Sequence, residues 1–168
     1  LNAWQGETLK TLYSKGLRRH HLLALKKADS AEFHKAHYEK LSALMLTYQL
    51  SPEKAIEVLI LVNLSNIDFL LQLAKAETLS VYPLASEFNA LSYYQALTLR
   101  CSYPLGIRRQ HIIEHTSSQP MEYDFNHKHA QHIDAVMRIL KLAPIQAFEL
   151  IDKHSEDQLK TLLLLVGT

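Results

Sequence analysis

The sequence predicts an all-α fold built from two copies of one helical module, on three observations. Only four Gly and five Pro interrupt 168 residues. The rest is rich in Leu, Ala, Lys, Glu and Gln, which lose little on entering a helix. The third is a repeat: YSKGLRRHHLL, starting at Tyr13, returns as YPLGIRRQHII, starting at Tyr103.

Asn2 is placed to cap a first helix reaching Tyr13, and Gly16 breaks it before a second over residues 17–27. Asp29 and Ser30 open a third over residues 31–48. Ser51, Pro52 and Glu53 supply a cap, a first-turn proline and an early acid for a fourth over residues 54–62. The turn at Asn63, Leu64 and Ser65 starts a fifth that runs to Ala76. Residues 78–84, TLSVYPL, alone have strand character, and Pro83 restricts them to an edge strand or a loop. From Ser86 the helical pattern restarts. The expected organisation is a helical repeat over residues 1–75, a linker over 76–90 and a second repeat over 91–168.

At an offset of 90 the chain matches itself at Leu1/Leu91, Gln5/Gln95, Thr8/Thr98, Leu9/Leu99, Tyr13/Tyr103, Gly16/Gly106, Arg18/Arg108, Arg19/Arg109 and His21/His111. Composition alone would give about one or two such matches. The register then slips by two residues to align Ala43/Ala135, Met45/Met137, Leu50/Leu142, Pro52/Pro144, Ala55/Ala147 and Glu57/Glu149, before Ser65/Ser155 restores the first offset. A tandem duplication with pseudo-twofold symmetry follows as the expectation. Each copy holds two helix-turn-helix-like units. The first is turned at Ala28-Asp29-Ser30 or Thr116-Ser117-Ser118, its second helix starting near Ala31 or Pro120; the second, around Asn63 or His154, is apolar on both helices and is assigned to the core.

Eighteen Lys and Arg face seventeen Asp and Glu, so attraction to DNA must come from local clustering, not from the net charge of +1. The single cysteine, Cys101, allows neither an intramolecular disulfide nor a CxxC metal cage and points to a reducing, cytoplasmic setting. The apolar run over residues 162–166 is too short to span a bilayer, and the N-terminus lacks a signal-peptide pattern. Because the chain starts at Leu1 without Met, the natural protein is expected to be longer.

The stretches LGIRRQHIIEHTSS and KGLRRHHLLALKKADS resemble the Leu-Gly-x-Arg helix and Thr/Ser turn in the C subunit of the flagellar master transcriptional activator. YQLSPEKAIEVLILVNLSNIDFLLQLAKAETLSVYPL is similar in pattern to the D subunit of that activator. Each match covers about thirty residues of a copy, mostly helix-core positions, and the C subunit's cysteine-rich zinc site has no counterpart here. The resemblance implies a helical transcriptional regulator, an activator that acts on DNA within a complex.

The residues expected to contact a duplex are Arg18, Arg19, His34, Lys35, Arg108, Arg109, Asn126, His127 and Lys128. Paired arginines near a helix start can hold phosphates bidentately, while Phe33, Tyr38, Tyr123 and Phe125 pack inwards. The competing expectation is that Arg18 and Arg108 bridge to the duplicated acids Glu57 and Glu149. No metal or cofactor is expected, the alternative being zinc on His111 and His115, spaced four apart on one helix. No Ser-His-Asp set, phosphate loop or carboxylate pair stands out, so the chain reads as non-enzymatic. The expected partners are double-stranded DNA and a protein or a second copy, without a membrane. The second reading is an all-helical adaptor that docks a protein through the same faces.

Overall fold

The computed structural model describes residues 1–28 and 32–167, and among them eleven α-helices and no strand. The chain divides into two compact units, Leu1–Ala90 and Leu91–Thr168. Residues 76–90, expected as a linker, belong to the first.

Unit 1 contains α1 (Ala3–Leu12), α2 (Arg19–Ala28), α3 (Lys35–Ser42), α4 (Pro52–Leu61), α5 (Ile67–Ala76) and α6 (Val81–Ala85). The Asn2 side chain accepts the Gln5 amide while Gln5 accepts the Asn2 amide, a closed capping box. After α1, Tyr13–Lys15 tightens into a 3₁₀ turn, and Gly16 leaves it at φ 101°. That left-handed conformation suits glycine because no Cβ meets the carbonyl. Asp29, Ser30 and Ala31, expected to open the third helix, lie outside the described residues; α3 starts at Lys35 and ends in a π turn over Ala43–Thr47. Pro52 stands at N1 of α4, where its missing N–H is no loss, and the Ser51 hydroxyl accepts the Lys54 amide. Leu12, Leu17, Leu22, Leu41, Leu44, Ile67, Leu70 and Phe88 form the fully buried centre of this unit.

The expected edge strand is helical instead. Pro83 is the third residue of α6, within the first turn whose N–H groups have no helical acceptor, so proline costs that helix nothing. Val81, Leu84, Ala85 and Phe88 are buried, with α6 packed on α4 and α5.

Unit 2 contains α7 (Tyr93–Ser102), α8 (Arg109–Ser117), α9 (His127–Leu140), α10 (Pro144–Lys153) and α11 (Glu156–Gly167). Ser92 and Gln95 form the box at the start of α7, Gly106 leaves the following 3₁₀ turn at φ 99°, and Pro144 is N1 of α10. The second helix expected from Pro120 begins at His127. Residues 118–126 form a turn in which the Tyr123 amide donates to the Pro120 carbonyl, bringing Tyr123 and Phe125 inwards, and this connection is longer than a three-residue turn. Leu91, Leu99, Ile107, Ile112, Ile133, Phe148, Ile151 and Leu159 are fully buried.

One register assignment changes. Ser155 accepts the Gln158 amide just ahead of α11, whereas Ser65 lies inside the 3₁₀ turn Leu64–Asn66. The place of Ser155 in unit 2 is therefore that of Asn63 in unit 1, and the offset of 92 that aligns Pro52 with Pro144 runs on to the end of the comparison. No single helix among the described residues is long and apolar enough to cross a membrane; the apolar pair Pro52–Leu61 and Leu64–Ala76 bends by 101°.

Candidate functional site

The two Gly-[Leu/Ile]-Arg-Arg segments fold alike. Arg18 donates through Nη1 to the carbonyls of Tyr13 and Leu17, both at 2.8 Å, with its guanidinium 3.7 Å above the Tyr13 ring. Arg108 donates to Tyr103 and Ile107 at 2.8 and 2.9 Å, 3.5 Å above the Tyr103 ring. One guanidinium nitrogen can thus bridge the tyrosine carbonyl, which also accepts the Gly16 or Gly106 amide at 3.0 Å, and the carbonyl just after the glycine while its plane stacks on the aromatic face. This explains the repeated Tyr, Gly and Arg: one forms the platform, one makes the turn, one closes it. No bridge from Arg18 to Glu57 forms; Glu57 accepts the Tyr82 hydroxyl instead.

Five of the other expected contact residues also have local roles. The exposed His34 caps α3, its Nδ1 accepting the Ala36 amide at 3.2 Å, and Lys35 pairs with Glu39 at 3.8 Å. Asn126 caps α9 by accepting the Lys128 amide at 2.9 Å, and Lys128 Nζ donates to the His154 carbonyl at 2.7 Å, beyond the end of α10. His127 is exposed and stands edge-on to Tyr94. Arg109 is half-buried.

Arg19 is different. It lies on α2, which buries His21, Leu22 and Leu25 and exposes Arg19, His20, Leu23, Lys26 and Lys27. Positions 19, 23, 26 and 27 follow helical spacing, so the three cations form one stripe around Leu23. The helix has no acidic residue. Glu53 borders it on the His20 side, bonded at 3.0 Å to His21 Nε2; that hydrogen bond, ahead of its own backbone contact, holds the Glu53 carboxyl below the usual carboxylate range. At the offset of 90 the corresponding positions of α8 are Arg109, Ile113, Thr116 and Ser117, with Glu114 beside them, so Arg19 recurs but Lys26 and Lys27 do not. Lys26 and Lys27 were not among the expected contacts, although their place three and four residues after Leu23 was a readable signal.

A second constellation lies in unit 2. Asp152 on α10 accepts from His115 Nε2 at 2.7 Å, from His129 Nε2 at 2.6 Å and from the Tyr123 hydroxyl at 3.0 Å. Both histidines are buried. Burial pushes the Asp152 carboxyl up, but the hydrogen bonds from His129, His115 and Tyr123 outweigh it and hold it below the usual range. Burial, then the Asp152 charge beside it, raises the Tyr123 phenol far above its ordinary value. Position 60, matching Asp152 at the offset of 92, is Ile, and position 25, matching His115 at the offset of 90, is Leu. The cluster thus ties α8, α9, α10 and the 118–126 turn together, with Asp152 and His115 at places that are apolar in unit 1, whereas His129 matches His37 at the offset of 92. That polar substitution was the only sequence signal for it.

His111 and His115 do not converge on a metal. His111 Nδ1 accepts the Arg108 amide, which puts its proton on Nε2, and His115 Nε2 faces Asp152. Among the described residues no group of three His, Cys, Asp or Glu side chains has the arrangement to hold a metal ion. No protein-family model, curated protein or solved structure matches the chain.

Proposed function

We propose that the chain is a non-enzymatic, DNA-binding transcriptional regulator made of two duplicated helical modules, acting with a protein partner, and that α2 is its phosphate-contacting element. The observation that carries this is the acid-free exposed face of α2, with Arg19, Lys26 and Lys27 aligned around Leu23. Cations on one helix face can follow a phosphate backbone, and each one that meets a phosphate releases counterions. Arg18 sits one residue before α2 as a fixed turn element that sets where Arg19 begins the face. The duplication is supported by the same capping box, left-handed glycine and arginine fork recurring 90 residues apart. A helix-turn-helix role belongs to unit 1 in this proposal, since the connection after α8 is long and α8 has no counterpart of Lys26 and Lys27.

Titration of labelled random duplex between about 50 and 200 mM salt tests the reading, because three neutralised phosphates give a log–log slope near about −3. The triple variant Arg19→Ala, Lys26→Ala, Lys27→Ala should flatten that slope by about one unit for each phosphate no longer neutralised, while the helical signal stays. Unchanged binding in the folded variant would remove α2 from the interface. Absence of salt-dependent binding in the parent chain would leave the second reading, a protein-interaction module. One observation favours that module: Leu164 and Leu165 of α11 are 70% and 72% exposed.

A further inference from the structure

Two helix endings in unit 1 close in the same way. The π turn of α3 is left through Gln49 at φ 56°, and the Leu50 amide donates back to the Leu44 carbonyl at 3.0 Å. α5 is left through Thr78 at φ 54°, and the Leu79 amide donates to the Ala74 carbonyl at 2.8 Å. A left-handed residue followed by an apolar one is a common way for a helix to satisfy its last carbonyls. Each ending is therefore held by its own backbone.

Residues from both endings line a cleft of about 400 Å³: Tyr48, Leu50 and Lys54 beside the first, Leu79, Ser80 and Tyr82 beside the second. Glu57, which is not part of the lining, accepts the Tyr82 hydroxyl at 2.5 Å and so orients that ring, and Lys54 Nζ stands 5.1 Å from the ring centre. The Ser80 hydroxyl makes no capping bond to α6. Among the described residues Lys54 is the one charged side chain of the lining.

The fold of the module does not require this chemistry. At the offset of 92 Gln49 matches Lys141, which has the same φ of 56°, and Leu50 matches Leu142. Tyr48 matches Leu140 and Lys54 matches Gln146, so unit 2 makes the same turn without the phenol and without the cation. The ring and the ammonium are additions to a framework that folds without them.

We propose that this cleft binds a small planar aromatic carboxylate, with its ring against Tyr48 and Tyr82, its carboxylate on Lys54 Nζ and the Ser80 hydroxyl as a second donor. The volume lies within the range of small-molecule sites, and a mostly apolar lining with few polar groups is their usual composition. Aromatic contacts add to the gain from burying the ligand ring. One ammonium offsets one negative charge, and the Glu57 carboxylate beyond the Tyr82 hydroxyl opposes a second, so a carboxylate suits the cleft better than a phosphate dianion. The inference is independent of duplex binding by α2.

The experiment titrates cinnamate into the isotope-labelled whole chain and follows backbone amide shifts by NMR. Saturable one-to-one binding with Kd of roughly 0.1–2 mM is expected for a ligand of this size, with the largest shifts at Leu50, Leu79 and Ser80. Cinnamamide, which keeps the plane and lacks the charge, and cyclohexanepropionate, which keeps the charge and lacks the plane, should each bind about threefold or more weakly. Lys54→Gln should weaken cinnamate about three- to fivefold and leave cinnamamide unchanged, because one charge pair cannot be removed twice. Tyr48→Leu should weaken both about threefold. Gln and Leu occupy the matching places in unit 2, so both variants should keep the helical signal, and the comparison of ligands needs no variant at all. A flat titration to about 10 mM, or shifts centred outside residues 48–83, overturns the proposal. Equal affinity for cinnamate and cinnamamide would remove Lys54 from the site and overturn it as well. Displacement of cinnamate by inorganic phosphate at equal concentration would make the cleft a plain anion site and overturn the planar ligand.

Discussion

Four histidines, His21, His37, His111 and His129, stand at the third position of a helix, and each accepts through Nδ1 the amide of the residue before that helix. Glutamine does the same work at Gln5, Gln95 and Gln146. The histidine ring is thereby held as the Nε2–H tautomer, and His21 and His129 use that proton on Glu53 and Asp152. His111→Gln should therefore be nearly neutral, whereas His111→Leu should lose about 1 kcal/mol, as a missing cap does; urea denaturation of the two variants decides. Gly16→Ala and Gly106→Ala should each destabilise by about 1 kcal/mol, because φ near 100° is strained for any Cβ. Neither cost is a clash, since an added Cβ meets Pro52 Cγ only at 3.5 Å and nothing within 4 Å at Gly106. Asp152→Asn should cost about 1–3 kcal/mol by weakening three hydrogen bonds, two of them to the buried His115 and His129. Its pH dependence has a definite sign. The folded carboxyl titrates below its ordinary value, so its contribution is complete above that value and is lost as pH falls through the folded one. Denaturation midpoints from about pH 6 to about pH 2.5 should show that loss in the parent and not in Asp152→Asn.

Helix starts were readable wherever the cap and the helix are adjacent in sequence. Asn2, Ser51, Pro52 and Pro144 all take the places that local chemistry assigned. α6 and α9 were not readable in this way. The β-branched and aromatic residues of TLSVYPL favour a strand in isolation, but the apolar surface of α4 and α5 rewards a helix that brings Val81, Leu84 and Phe88 to one side. Tertiary burial overrides propensity there, and Pro83 falls where a helix tolerates it. For α9 the delay from Pro120 to His127 follows from the aromatic turn: Phe125 stacks on His129 at 4.7 Å and Tyr123 reaches Asp152, an arrangement an earlier helix start would have rotated away.

At the scale of the molecule, the full cationic stripe belongs to unit 1 alone, so the matching helix of unit 2 supplies its own test. A variant with Glu114→Ala and Ser117→Lys would give α8 part of the character of α2. Its duplex affinity should rise and its salt slope steepen by about one unit, measured by polarisation against the parent, if local helix charge governs binding. The all-helical class, the repeated turn chemistry and the first-turn prolines were determined by the sequence itself, because each depends on residues a few positions apart. The arginine fork lay between the two cases: Tyr13, Gly16 and Arg18 were visible as a repeated set, but whether Arg18 faced phosphates, Glu57 or its own backbone was a matter of orientation. Tertiary structure alone decided that Asp152 gathers His115, His129 and Tyr123, and that Val81, Leu84 and Phe88 pack against α4 and α5 from a helix instead of a strand. These depend on which helix faces meet, and that is set by the competition of all apolar faces for burial, which no local window contains.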